Sequence, residues 1–501
     1  TRAVADEEDA DEAIAYALRA AEQATTMLAH EEAAEHYARA LDVQGRSQPE
    51  AAARRCELLL ELGEARVRGG ERAQASTAFR EAAALAEQLG DGAALARAAI
   101  GASRRYVQPP GVVDTELIAM IERALELQPD RTLMRVRLLS CLCGAIYYAP
   151  ERERMPALSE EAAEIAAELG DAEARVYACG ARRRVLWDPP HLQERVEVST
   201  EMLTLALQIG NLELQLQAHA WLVVDLLERG DRDAVEAQME AFKDGAERLR
   251  QPLFEWNSLL WQAMRALLAG ALDRADQLAS EALAAGAPAE AVTATQYYAI
   301  QLLAIRREQG RMGELEEPAR RLVEDNPGRP AWGAALATLL SEEGRRAEAE
   351  QEFERLAAHG FEDIPKDLDW MIAITLLSDV CVDLGDARRA ELLYALLEPY
   401  AEVNVVIGFA AVCLGSAASF LGKLAATMGR ADLAAQHFEH ALQVNEEIRA
   451  PACLARTQID YARALGEDPR AEVLLAAAAK TAGELGLGAV SRKVAAIHTA
   501  V

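Results

Sequence analysis

Apolar residues recur at helical spacing along the whole chain, in stretches rich in Ala, Leu, Glu and Arg that are separated by Gly or Pro. One series of these breakers returns about every forty positions and consists of Gly70, Pro110 with Gly111, Pro150, Pro190, Gly230, Gly270 and Gly310. A second series lies half a period away and consists of Gly90, Pro129, Gly170, Gly210, Pro252, Gly286 and Pro327 with Gly328. Each unit therefore predicts two antiparallel helices, and repeated helix pairs predict an α-solenoid.

The pattern predicts an all-α solenoid of about twelve antiparallel helix pairs, with helices of roughly five turns, wound into a right-handed superhelix. The pairs run from Asp11 to about Leu485, and a last helix near Ala489–Ala500 caps the end. We expect two regions: residues 1–328 form regular forty-residue repeats, and residues 329–501 form less regular repeats. Asn326–Pro330 is the predicted hinge or change of superhelical pitch between them.

Small and aromatic residues recur at the offsets of the tetratricopeptide pattern, in which a large residue and Gly in the first helix face Ala, an aromatic and Ala in the second. Two full matches are Leu62, Gly63, Ala75, Phe79 and Ala82, and Leu421, Gly422, Ala434, Phe438 and Ala441. Partial matches are Ala33/Tyr37/Ala40, Ala349/Phe353/Leu356 and Ala390/Tyr394/Leu397. We expect the small residues where two helices touch and the aromatic ring in the gap to the next repeat.

The amino-acid composition and the net charge of the chain limit the kinds of function that it could have. The chain is 51% hydrophobic but only 5% aromatic, and its net charge of −29 disfavours binding to nucleic-acid phosphates. Only five of its 52 basic residues are Lys, which reflects either a GC-rich genome or an Arg-selected anion surface. The seven scattered Cys show no C-x-x-C spacing and predict buried thiols in a reducing cytoplasm. The start at Thr1 suggests a processed or excised piece of a larger protein.

Residues 403–422 contain no charged side chain. Their length would suit a membrane span, but they include Asn404, two Ser and three Gly and end inside a good repeat helix. We expect a buried helix preceded by a Gly-containing turn, with a pocket or docking face as the alternative, and no membrane association.

No motif for catalysis, metal or cofactor binding is present. The sequence lacks a phosphate loop, a G-x-S-x-G elbow and H-E-x-x-H. His437 and His440 could share a helix face, but they lack further ligands for zinc, so we expect an exposed helix face. The sequence therefore predicts a protein that is not an enzyme and needs no cofactor.

The scarce aromatics concentrate in the middle of the chain, close to an Arg triplet. Counting from the loop glycines places Arg184 towards the inner side of a first helix. These residues are either interhelical packing or a concave patch where rings and guanidinium groups hold a peptide or an anionic ligand. The candidate binding residues are Arg183, Arg184, Trp187, Trp221, Trp256, Trp261, Tyr297 and Tyr298.

Four passages carry a resemblance to a known group: Ala13–Leu41, Arg182–Asp188, Leu192–Asp231 and Leu393–Leu465. They resemble the tetratricopeptide region of large bacterial signalling ATPases, which include LuxR-type ATP-binding regulators, maltose-regulator-like activators and cyclase–ATPase–repeat proteins. The resemblance implies a sensing or scaffolding role that controls an attached ATPase domain in the full-length protein.

We therefore expect a cytoplasmic, non-catalytic repeat module that binds a ligand or a protein or peptide partner. The alternative is a free-standing adaptor or assembly subunit whose acidic surface recruits basic segments. An enzyme with a site inside the solenoid is a third hypothesis, for which the sequence offers no set of convergent ionisable groups.

Overall fold

A computed structural model describes residues 7–48, 50–103, 111–187 and 189–500. Its α-helices are α1 (Glu7–Thr26), α2 (His30–Ser47), α3 (Ala52–Arg68), α4 (Arg72–Leu89), α5 (Gly92–Ser103), α6 (Thr115–Leu127), α7 (Leu133–Ala145), α8 (Met155–Leu169), α9 (Ala172–Val185), α10 (Leu192–Gln208), α11 (Leu212–Arg229), α12 (Arg232–Leu249), α13 (Pro252–Leu268), α14 (Leu272–Gln309), α15 (Glu316–Asp325), α16 (Pro330–Glu342), α17 (Arg346–Ala357), α18 (Trp370–Leu384), α19 (Ala387–Leu397), α20 (Ala417–Thr427), α21 (Ala431–Glu447), α22 (Pro451–Leu465), α23 (Pro469–Leu485) and α24 (Gly488–Ala500). Short 3-10 helices span Pro150–Arg154, Pro189–His191, Met312–Leu315 and Glu398–Tyr400.

Consecutive helices pack as pairs, and each pair stacks on the next, so the predicted all-α solenoid of helix pairs is confirmed. α14 supplies one helix to each of two pairs, because its backbone leaves the helical region at Glu290 (φ −142°). Counted this way, the described residues form twelve pairs followed by α24. The boundary at residue 328 remains a prediction.

The turns between helices explain the forty-residue period. Gly230 ends α11 in the left-handed conformation (φ +84°), which a residue with a Cβ adopts only at a cost. The side chain of the next residue, Asp231, then accepts a hydrogen bond from the backbone N–H of Ala234 and starts α12. Gly170 with Asp171 repeats this arrangement. Pro110 lies outside the described residues.

The prediction that Gly286 separates two helices is wrong. Gly286 does not end a helix but lies buried inside α14, where an added Cβ would come 2.5 Å from the ring of Trp256. The glycine is needed for this close approach of α14 to α13. The interruption comes four residues later, at Glu290, after Pro288.

The tetratricopeptide offsets produce the contacts that the sequence predicts. The ring of Phe79 fills a gap between two first helices: a Cβ on Gly63 would lie 2.7 Å from it, and a Cβ on Gly101 of the next repeat 2.4 Å. Phe438 repeats this contact with Gly422 and stacks on Tyr461 of the following repeat, with ring centroids 5.2 Å apart. The repeats are therefore tetratricopeptide-like in their packing as well as in their spacing.

The expected buried helix after residue 403 is corrected by the structure. The first part of the uncharged stretch forms an antiparallel hairpin of β1 (Asn404–Ile407) and β2 (Val412–Ser416), and only its end is helical, in α20. All nine strand residues are buried. The run of β-branched residues (VVI) favours the extended backbone, and Gly408 and Gly415, both at positive φ, allow the turn and the closing bend.

The hairpin lies between the first half of the solenoid (α1–α13) and the second half (α14–α24), and the two halves also touch elsewhere. β1 contacts α11 and α18, and β2 contacts α13, α14, α20, α21 and α22. Arg72 on α4 forms an ion pair of 2.8 Å with Glu290. Arg152 donates a hydrogen bond of 3.0 Å to the backbone oxygen of Lys366. The solenoid therefore curls back on itself around the hairpin.

Candidate functional site

A cavity of about 210 Å³ lies where α5, α7, α9, α11 and α13 present their inner faces. This volume could hold on the order of a dozen waters, so it is larger than a packing defect. Two residues from the second half of the solenoid complete its wall: Leu368, which precedes α18, and Phe409 at the tip of the hairpin. Both halves of the chain therefore contribute to the cavity.

Aromatic rings form much of this wall. Trp187 is central, with its ring centroid 5.7 Å from that of Phe409 and 6.4 Å from that of Tyr147. Trp221 and Phe254, one from each of two successive inner helices, line the same space. Such a wall suits a planar apolar group, because offset and edge-on ring contacts are favourable in addition to the burial of apolar area.

Two guanidinium groups line the cavity without a carboxylate partner among the described residues. Arg184 lies 5.1 Å from the centroid of the Trp221 ring, and its Nη1 donates a hydrogen bond of 3.0 Å to the backbone oxygen of Gly180. Burial lowers the pKa of the Arg184 guanidinium. Arg137 lies 5.2 Å from the centroid of Tyr177, and its Nε is buried without an acceptor. These two groups therefore place positive charge on the cavity wall of an acidic protein.

Further polar groups face the same region. The hydroxyls of Tyr147 and Tyr148 are buried without a hydrogen-bond partner in the described part of the chain, and burial raises the pKa of both. Ser140 also lines the cavity. A carboxylate is present as well: Glu213 accepts a hydrogen bond of 2.9 Å from Gln251 and lies 3.8 Å from Arg68. The cavity therefore offers more donors than acceptors to a ligand.

Arg183, the neighbour of Arg184, has a different role. It is fully buried, and its Nε and Nη2 donate to the two oxygens of Asp225 at 3.1 and 2.6 Å. Its guanidinium also stacks 4.1 Å from the centroid of Trp187. Asp225 additionally contacts Arg195 at 3.2 Å, so Arg183 belongs to a buried ionic network behind the cavity wall. The Nη1 of Arg183 has no hydrogen-bond partner among the described residues.

The eight binding residues predicted from the sequence therefore fall into two groups, those that line the cavity and those that do not. Arg184, Trp187 and Trp221 line the cavity, and Arg183 lies behind it. Trp256, Trp261 and Tyr297 are each at most 1% exposed and do not line it. Tyr298 is partly buried against the core of the second half. The patch is thus split between a cavity wall and interhelical packing.

Sequence reasoning missed Arg137, Tyr147, Tyr148, Phe254 and Phe409. The doublet Tyr147-Tyr148 is a signal in a chain with few aromatics, but nothing in the sequence singles out Arg137. Phe409 could not be found, because it reaches the cavity only through the hairpin.

Side-chain hydrogen bonds join the hairpin to the helices around it. Trp261 Nε1 donates to the carbonyl oxygen of Phe409 at 2.8 Å, and Gln301 Nε2 donates to that of Ala411 at 2.9 Å. Asn404 on β1 donates to the backbone oxygen of Leu227 at 2.9 Å. A two-stranded hairpin is marginal by itself, so these bonds hold it and the cavity wall that it provides.

Other sites are less suited to a ligand. A groove of about 450 Å³ beside α12 and α13 is larger, but it is mainly apolar, and its Arg265 is paired with Glu236 at 2.9 Å. In the second half, Arg307 forms ion pairs with Glu342 and Asp379 at 2.7 and 2.6 Å. Because these charges are already paired, we place the candidate site in the cavity between the inner helices of the first half.

The two histidines considered for zinc have separate contacts. The ring of His437 is partly buried and lies 2.9 Å from the Tyr394 hydroxyl, while His440 lies 3.4 Å from Glu402. Across the described residues, no three His, Cys, Asp or Glu side chains are grouped to hold a metal ion. In the same part of the chain, no helix is both long and apolar enough for a transmembrane span.

No protein-family model matches the sequence, and no curated protein is significantly similar to it. Among solved structures, the chain is similar to one from the APC/C hetero-tetramer Cut9–Hcn1, at 14% identity over 99% of this chain and 89% of that chain, with a TM-score of 0.42. Yeast Tom70 follows at 12% identity, 92% and 99% coverage and a TM-score of 0.36. A Rap protein complexed with competence and sporulation factor gives 11% identity, 79% and 99% coverage and a TM-score of 0.37.

Proposed function

We propose that this chain is a non-catalytic, ligand-binding repeat module and that the cavity is its receptor site. The observation that carries the proposal is the composition of the cavity wall. Inner helices of the first half supply Arg184 and Trp221, and the second half supplies Leu368 and Phe409. A bound molecule would therefore contact both halves and stabilise the curled form of the solenoid.

The chemistry of the cavity supports binding more than catalysis. Guanidinium groups, as a class of side chain, do not act as bases near neutral pH. The tyrosine hydroxyls stay protonated, because burial raises the pKa of Tyr147 and Tyr148. The carboxylate of Glu213 accepts a hydrogen bond from the side chain of Gln251. These groups can orient a ligand and donate hydrogen bonds to it.

A titration with indole, a neutral planar probe, tests the receptor site. Gly180 lines the cavity, and a Cβ there would face Arg184, Ser140 and Trp221 at 3.5–3.6 Å. We expect saturable binding of indole in calorimetry, which Gly180→Leu abolishes by filling the cavity. Gly483→Leu is the matched control, because Gly483 is an exposed helical glycine with no atom within 4 Å of a Cβ.

Thermal unfolding of the Gly180→Leu variant checks that it is folded. Absence of indole binding to the unaltered chain, or equal binding to both glycine variants, would contradict the receptor site.

We further propose that the module senses its ligand for a bacterial signalling or transcription-regulating ATPase, and that ligand binding changes the curvature of the solenoid. The resemblance of Arg182–Asp188 and the other three passages to such repeat regions supports this context. The reading frame around this chain tests it: an adjoining ATPase supports the context, and a frame without one contradicts it.

A scaffold for a basic protein partner is the second candidate. The excess of 81 acidic over 52 basic residues favours it. Binding of such a partner should weaken strongly with added salt, because exposed charges are screened. Binding that is insensitive to salt would contradict it.

A further inference from the structure

We infer that the ligand is a small amphipathic anion, with a carboxylate or phosphate at Arg184 and Arg137 and a planar apolar body against Trp221 and Phe409. This inference rests on the proposed function and specifies the class of ligand.

Two helices, α7 and α9, each carry an arginine that is paired with a carboxylate and another that has no such partner among the described residues. On α9, Arg182 donates to Glu194 at 2.6 Å, whereas Arg184, two residues later, has no carboxylate partner. On α7, Arg135 donates to Glu161 at 2.7 Å, whereas Arg137, two residues later, has none among the described residues. In both helices the paired arginine lies away from the cavity and the unpaired one lines it.

Placing two arginines at the cavity without a carboxylate partner among the described residues costs free energy. Removing a cation from water without a counter-charge is unfavourable, and burial lowers the pKa of Arg184 for that reason. The chain has 81 acidic residues with which to pair its cations, yet these two guanidiniums are left without one. An anionic ligand would supply the missing charge, and Arg presents a planar fork that matches carboxylate and phosphate oxygens.

The size of the cavity favours a small ligand over an extended peptide. The cavity measures about 210 Å³, and the hairpin tip at Phe409 and the segment at Leu368 close it on the side of the second half. An extended peptide would need a continuous groove along the first helices of the pairs, and the buried hairpin already packs against five of these helices, α11, α13, α18, α20 and α22. The rings of Trp187 and Trp221 instead suit one planar group.

Three indole derivatives of similar shape and different charge test the inference: indole-3-acetate, indole-3-acetamide and tryptamine. We expect the anion to bind the unaltered chain about tenfold tighter than the neutral amide, since a charge-assisted bond is stronger than a neutral one, and the cation not to bind. Arg184→Met should reduce the affinity for indole-3-acetate to that for the amide. Arg182→Met, the matched control, should leave it unchanged.

Phenylacetate and phenyl phosphate then distinguish the two anions, and the tighter binder identifies the group. Equal binding of indole-3-acetate and its amide, both blocked by Gly180→Leu, would overturn the anion class and leave the receptor site standing. Binding of none of the five probes would overturn both. The probe series on the unaltered chain decides the question by itself if Arg184→Met does not fold.

Discussion

The indole Nε1 of Trp261 donates a hydrogen bond of 2.8 Å to the backbone oxygen of Phe409, 148 residues further along the chain. Trp261 belongs to an inner helix of the first half, and Phe409 is the tip of the hairpin that the second half places beside it. The bond therefore fixes the ring of Phe409 where it completes the cavity wall. It also satisfies a carbonyl that is shielded from water by the surrounding helices.

Trp261→Phe removes this donor and keeps most of the ring. We expect a loss of about 1–3 kcal/mol in stability, because a buried carbonyl is left unpaired. Hydrogen exchange should also rise at residues 408–411. Trp256→Phe is the control, since Trp256 is equally buried but makes no hydrogen bond to the described hairpin residues. Unchanged exchange in Trp261→Phe would show that the bond does not hold the tip.

Gly63→Ala should destabilise the solenoid by about 1–3 kcal/mol, because the new Cβ would lie 2.7 Å from the Phe79 ring. Gly422→Ala should act in the same way through Phe438, at 2.8 Å. Gly483→Ala, also within a helix but with nothing within 4 Å, should instead stabilise it by about 0.5–1 kcal/mol. Thermal unfolding of the three variants measures the difference, and similar shifts in all three would contradict the packing described.

Arg183→Met and Arg184→Met should affect stability in opposite ways. The first leaves the buried Asp225 with only Arg195 and Ser199, and we expect a loss of about 3 kcal/mol. The second loses a cation–π contact of about 0.5–2 kcal/mol but removes a partly buried cation that has no carboxylate partner among the described residues, so stability should be unchanged or higher. Denaturant unfolding separates the two, and an equal loss in both variants would show that Arg184 is structural.

Asp367 should make the chain less stable as the pH rises from about 4 to 6. Burial and the neighbouring Asp369 raise its pKa from 3.8 to about 6 in the folded chain, where the backbone N–H of Asp369 still donates to it. The folded state therefore holds this proton more tightly than the unfolded state, and the contribution is lost as pH rises through the folded pKa.

Asp367→Asn should then raise stability at pH 7 by about 1–2 kcal/mol and flatten the profile between pH 4 and 6. Asp244→Asn on an exposed helix face is the control. Melting temperatures measured across this range check the sign, and parallel profiles for Asp367→Asn and the unaltered chain would contradict it.

The repeat architecture could be read from the sequence because its determinants are local. A left-handed Gly followed by Asp, as at Gly230 and Asp231, ends one helix and starts the next within two residues. The Gly63–Phe79 contact likewise joins neighbouring helices of one repeat. Such short-range rules do not depend on how the solenoid curls.

The local sequence pattern could not distinguish the hairpin from a buried helix. Because both its faces are buried, residues 404–407 and 412–416 show no alternation of polar and apolar positions. The β-branched Val405, Val406 and Ile407 were the available signal.

The site could be predicted only in part for a related reason. Scarce rings in the sequence pointed to α11 and α13, which line the cavity, but also to α14, which does not. Trp221 at the cavity and Trp256 in the core have the same composition signal. Exposure at the cavity depends on Leu368 and Phe409, which reach it by tertiary folding. The sequence of residues 182–184, three consecutive arginines, also does not show which of them has a carboxylate partner.

A crystal structure of the chain with indole-3-acetate tests the central claim most directly. The account predicts the ring against Trp221 and Phe409 and the carboxylate within hydrogen-bonding distance of Arg184. A cavity that holds only water, or a probe bound on the outer helices, would contradict it.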